Sequence, residues 1–127
     1  MGIKYIIDKE KKIIFVKRFG AISPEEFING MLEITAHKDF SKANKLYSDM
    51  SVSNLSTLSL EELNQYARFC GEKLNQLLII VVVPQNLNFG VSRLFETLLN
   101  QGNIKFVKEK TDALRWLDIN CLPDDFQ

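Results

Sequence analysis

A chain of 127 residues, 46% hydrophobic and 25% charged, has the size and composition of one globular domain with its own core. Its 16 basic and 16 acidic side chains cancel, which argues against a nucleic-acid binder, because phosphate contacts call for a basic excess. The two cysteines, Cys70 and Cys121, form no CxxC spacing, so neither a zinc site nor a dithiol motif is expected.

Residues 3 to 7 and 13 to 16 are β-rich runs joined by a polar tip, Asp8-Lys9-Glu10-Lys11-Lys12, the pattern of an antiparallel hairpin. The densest basic stretch, Lys9, Lys11, Lys12, Lys17 and Arg18, reads as solvated decoration of that hairpin. Gly20 lets the chain leave the second strand. Ser23-Pro24-Glu25-Glu26 announces a helix, with Ser23 as N-cap, and Phe27, Ile28, Met31 and Leu32 recur at helical spacing behind it.

A short strand follows over 45 to 50, with Asp49 near its end, and runs into a serine-rich loop over 51 to 57. Ser59-Leu60-Glu61-Glu62 is a second helix start. Leu60, Leu63, Ala67, Cys70 and Leu74 then step as a core-facing stripe. Residues 77 to 83 are apolar without alternation and rich in β-branched side chains, as in a strand covered on both faces. Pro84 stops it.

A third helix is expected from about Val91 to Leu99, ended by Gly102, then a strand over 104 to 107. Thr111 is the expected cap of a final helix whose Trp116 packs on the sheet. Residues 1 to 120 thus form one domain, and 121 to 127 are expected to be a loosely held polar tail. The order β-β-α-β-α-β-α-β-α predicts an α/β fold. Its mixed sheet has about five strands, an N-terminal antiparallel hairpin and then parallel β-α-β units, packed with about four helices.

Several of these features occur together: Gly20 after the hairpin, the Ser23-Pro24-Glu25-Glu26 start, Asp49 at the third strand, Phe89-Gly90-Val91-Ser92-Arg93, and Ala113-Leu114-Arg115-Trp116-Leu117. In this order they resemble the SpoIIAA-like group of the STAS superfamily, which is similar in topology to small CRAL-TRIO-like lipid-binding domains. The resemblance implies a non-enzymatic regulatory or protein-interaction module. In signalling members a kinase modifies a serine at the start of the second helix. Ser59 stands near that position, without the flanking aspartate and glycine of the motif.

His37, the lone histidine, has no nucleophile or carboxylate signalled beside it. Neither GxGxxG nor GxxxxGK[ST] occurs, so no cofactor or nucleotide site is expected. Asp49 and Arg93 should lie where the parallel strands end, the usual place of a ligand crevice in an open α/β sheet. With Ser51, Ser53, Phe89 and Gly90 they make the candidate binding site. Its expected occupant is a protein partner, a second copy of the chain included. The alternative is a small lipid-like or anionic ligand carried between helices and sheet. Met1-Gly2-Ile3-Lys4 opens no apolar signal segment, and residues 77 to 83 are too few to span a bilayer. The expectation is a cytoplasmic protein that neither crosses a membrane nor binds nucleic acid.

Overall fold

The computed structural model describes residues 2–21, 23–54, 59–84 and 103–127. Five strands, β1 (Gly2–Asp8), β2 (Ile13–Ala21), β3 (Lys45–Asn54), β4 (Leu78–Val82) and β5 (Ile104–Val107), form one sheet in the order β1-β2-β3-β4-β5. The first pair is antiparallel and the other three are parallel, as the hairpin and β-α-β pattern predict. Among the described residues three α-helices accompany them: α1 (Pro24–Thr35), α2 (Leu60–Lys73) and α3 (Lys110–Leu117). The helix expected over 91 to 99 falls outside the described residues.

Local chemistry explains the element starts. Ser23 Oγ accepts from Glu26 N at 3.1 Å, and Ser59 Oγ accepts from Glu62 N at 3.1 Å, so both serines satisfy a first-turn donor. The hairpin turns where Asp8 Oδ1 accepts from Lys11 N and Lys12 takes a φ of 61°. The last helix begins differently from expectation. Its N-cap is Glu109, and Thr111 lies inside the first turn.

The sheet separates two apolar cores. Alternation along β4 sends Ile79 and Val81 to one and Ile80 and Val82 to the other, which is why that strand is apolar throughout. The first core lies under α1 and α2, with Phe27, Met31, Ile34, Tyr66, Phe69 and Leu74 against Ile14, Val16 and Leu46. The second lies under α3, with Ala113 and Leu117 against Phe15, Tyr47 and Ile80.

Four expectations are corrected. Strand β3 does not end near Asp49 but runs to Asn54, so Ser51 and Ser53 are strand residues paired alongside β2. Strand β2 runs past Val16 to Ala21, with Gly20 at a φ of 83° inside it. The tail is not loose: Leu122 and Phe126 are buried in the second core. Trp116 is 48% exposed. It sits at the β5 edge of the sheet, where Lys105 Nζ lies 5.4 Å from its ring centroid. Among the described residues no helix is long and apolar enough to cross a membrane.

Candidate functional site

Asp49 is wholly buried, on the sheet face that α3 covers. Its Oδ1 accepts from Ser51 N at 2.9 Å and from Ser51 Oγ at 2.6 Å. Its Oδ2 has no hydrogen bond and lies 3.6 Å from Lys110 Nζ, at the first residue of α3. Asp49 therefore ties β3 to the start of the last helix through Lys110, and Arg93, the partner that the sequence suggests, lies outside the described residues. Ser51 and Lys110 border an open cleft of about 320 Å³ beside Val82, at the carboxyl end of β4.

Ser53 is buried, and its hydroxyl donates to the Arg18 carbonyl at 2.9 Å, so it braces β2. Ser59 is exposed and caps α2. The remaining candidates, Phe89, Gly90 and Arg93, lie outside the described residues. The structure thus brings Asp49 and Ser51 together and sets Ser53 on the backbone of a residue that sequence reasoning had placed in solvent.

That residue is Arg18. It is 1% exposed, the largest fully buried side chain, and its assignment to the solvated hairpin is a correction forced by strand parity. Ile14, Val16 and Arg18 point the same way, and the first two belong to the core under α1 and α2. The pairing of β2 with β3 shifts here, from Lys17 opposite Asp49 to Phe19 opposite Val52, so Met50 and Ser51 together stand opposite Arg18. A bulge of this kind re-aims side chains.

Arg18 lines a cavity of about 60 Å³ bordered by the sheet, α1 and α2. Its other polar neighbours around the cavity are Ser48, Tyr66 and Cys70, and the walls are apolar, among them Phe27, Met31, Leu74, Ile79 and Phe106. The approach of α1 is close: a Cβ on Gly30 would stand 3.8 Å from Arg18 Nη1 and 2.9 Å from Ile3 Cδ1. Arg18 Nε and Nη1 have no hydrogen-bond partner, and neither has Tyr66 Oη. No carboxylate among the described residues pairs with Arg18.

A favourable electrostatic contact comes from Phe27, whose ring centroid lies 4.5 Å from Arg18 Cζ. A desolvated cation–π contact contributes about 2 kcal/mol. Desolvating an ion costs several kcal/mol even after relaxation, so the ring does not offset the burial. The same burial lowers the Arg18 pKa to about 10. It pushes the Cys70 thiol up to about 11 and the Tyr66 hydroxyl up to about 12. Near neutral pH the cavity therefore holds one cation among neutral hydroxyl and thiol groups, a set suited to holding an anion.

Sequence reasoning missed Arg18 because it closed β2 at Val16. The available signal was parity: a strand continued by two residues puts Arg18 on the core face. His37 takes no part in this site. Its Nδ1 accepts from Asp39 N at 3.0 Å at the end of α1. Among the described residues, no group of three or more His, Cys, Asp or Glu side chains could hold a metal ion. A scan against protein-family models finds no match, and a search of curated proteins finds no similar sequence.

Proposed function

We propose that this chain is a non-enzymatic binding module that carries a small anionic molecule with an apolar body between α1, α2 and the sheet. The observation that carries this reading is the buried guanidinium of Arg18, without a carboxylate partner among the described residues, in a mostly apolar cavity. Isolated buried charge is costly, and a cavity that keeps one gains most from an occupant that neutralises it. Cys70 and Tyr66, both held protonated by burial, suit a binding site better than a nucleophilic one. This is the carrier alternative of the sequence reading. The regulatory reading rests on the resemblance to the SpoIIAA-like group of the STAS superfamily. It fits the same domain if occupancy alters the surface around Ser59 and α2.

Thermal melts of the wild type and of Arg18→Met test the proposal, with sodium acetate, butyrate, laurate and phosphate and with sodium chloride as the ionic-strength control. Methionine replaces the arginine stem about as far as Nε and needs no counter-ion. For a binding site, at least one anion raises the wild-type melting temperature by several degrees, as ligation of the folded state requires. Arg18→Met then melts at or above the unliganded wild type and ignores the anion. A lower melting temperature for Arg18→Met, with no anion effect on the wild type, would make Arg18 a structural residue and end the proposal.

A further inference from the structure

We infer that the occupant of this cavity is a short-chain monocarboxylate, its carboxylate held jointly by Arg18 and the Tyr66 hydroxyl and its alkyl end packed among the apolar walls. This rests on the binding reading above and adds the ligand class and a second recognition residue.

Charge selects the headgroup. Among the described residues the cavity offers one cation, Arg18, and the neutral donors Tyr66, Ser48 and Cys70. A monoanion neutralises that charge. A phosphate dianion would leave a net negative charge against apolar walls, with too few donors for its oxygens. Two small neutral occupants such as water would satisfy hydrogen bonds and leave the guanidinium uncompensated.

Position selects Tyr66. Arg18 and Tyr66 both lie against Phe27, whose centroid is 4.5 Å from Arg18 Cζ and 4.3 Å from the Tyr66 ring centroid. Arg18 Nε and Nη1 and Tyr66 Oη are all buried without partners, and both residues line the same cavity. A buried tyrosine hydroxyl normally finds a partner, and one carboxylate oxygen beside Arg18 would supply it. Burial pushes the Tyr66 pKa up to about 12, so the hydroxyl keeps its proton and donates.

Volume limits the tail. The cavity measures about 60 Å³, whereas a cavity of about 150 Å³ takes a benzene molecule. The space therefore suits a carboxylate with a tail of one or two carbons, with Met31 and Met50 at the wall able to adjust. A long acyl chain does not fit within it.

Isothermal titration of the full chain with sodium propionate, sodium laurate and inorganic phosphate tests this, on the wild type, Tyr66→Phe, Arg18→Met and Arg18→Lys. The expected result is one propionate per chain, with laurate and phosphate weaker by at least about tenfold. Loss of one hydrogen bond to a charged group should weaken propionate by roughly tenfold to a hundredfold in Tyr66→Phe. Arg18→Met should abolish binding. Should that variant fail to fold, Arg18→Lys keeps the charge without the planar fork and should weaken binding measurably. Phosphate or laurate binding that is lost in Arg18→Met, with propionate silent, would overturn the ligand class and leave the binding reading standing. An unchanged propionate affinity in Tyr66→Phe would remove Tyr66 from the site. Silence from all three anions would sink both this inference and the reading beneath it.

Discussion

The Arg18 guanidinium carbon lies 4.5 Å from the centroid of the Phe27 ring, so the side chain that carries the buried charge leans on one that can stabilise it only in part. Phe27 also stacks at 4.3 Å on Tyr66 and meets Phe69 edge-on at 6.2 Å. Phe27→Leu should destabilise the unliganded protein, and part of that loss should depend on the cation. In an Arg18→Met background the loss should shrink by about 1–2 kcal/mol, the worth of a desolvated cation–π contact. Urea denaturation of the two single variants and the double variant measures this coupling. Strict additivity would show that the ring contributes packing alone.

Asp49 and Lys110 make an unequal pair: the carboxylate is wholly buried, while the lysine side chain is 37% exposed. Removing either partner breaks the same contact with different consequences. Lys110→Met strands a buried carboxylate whose Oδ2 has no hydrogen bond, whereas Asp49→Asn leaves a lysine free to turn to water. The lysine substitution should cost about 2 kcal/mol, below the value for a fully buried pair because water screens the exposed partner. The asparagine substitution should cost less and can keep the Ser51 bonds on its carbonyl oxygen. Equilibrium unfolding of both variants checks the order, and a costlier Asp49→Asn would mean that the Ser51 contacts dominate.

The parts of the fold legible in the sequence were the parts set by neighbours along the chain. Ser23 and Ser59 read as caps because their partners are three residues away. The all-apolar composition of β4 announced its two covered faces. Arg18 was not legible because its burial depends on how far β2 extends and on the bulge opposite Met50 and Ser51, both properties of strand pairing. The partner of Asp49 was missed for the same reason, since Lys110 meets it only through the stacking of α3 on the sheet. Trp116 misled because large aromatics are usually buried, while the stripe that α3 buries runs through Ala113 and Leu117 and leaves the indole at the sheet edge.

That contrast gives a direct comparison at the C-terminal end. Phe126 is 1% exposed, its ring centroid 5.9 Å from that of Phe15 and 5.4 Å from Lys4 Nζ. Phe126→Ala should cost about 3–5 kcal/mol, the range for a buried aromatic truncated to alanine. Trp116→Ala should cost under about 1 kcal/mol, losing half-exposed packing and a screened contact with Lys105. Melting curves of the two variants separate them. Equal losses would mean that the last helix and the tail divide the second core differently from the structure.

Alkaline stability reports on the same cavity as the ligand. Burial raises the Cys70 pKa from 9.0 to about 11 and that of Tyr66 from 10.0 to about 12. Both groups therefore hold protons in the folded state that the unfolded chain has released. Their contribution is complete below the unfolded pKa and is lost as pH rises toward the folded one. Arg18 runs the opposite way: burial lowers its pKa to about 10. The penalty of its buried charge is thus relieved above that pH, because the unfolded chain then binds the extra proton. Between pH 9 and 10 the folded state should lose about 1 kcal/mol from the cysteine, under the limit of about 1.4 kcal/mol per pH unit for one proton. The buried Tyr47, whose pKa burial also raises, adds to the fall. Above pH 10 the tyrosines steepen the fall and the arginine opposes it. Urea denaturation at pH 8, 9 and 10 should show this slope in the unliganded wild type and a flatter one in Cys70→Ala, whose own cost is constant with pH. Thiol labelling gives an independent reading: at pH 8 the exposed Cys121 should react promptly and Cys70 only on unfolding. Rapid modification of both cysteines in the native protein, or identical pH slopes for wild type and Cys70→Ala, would show that the thiol beside Arg18 is open to solvent and that the cavity is not closed.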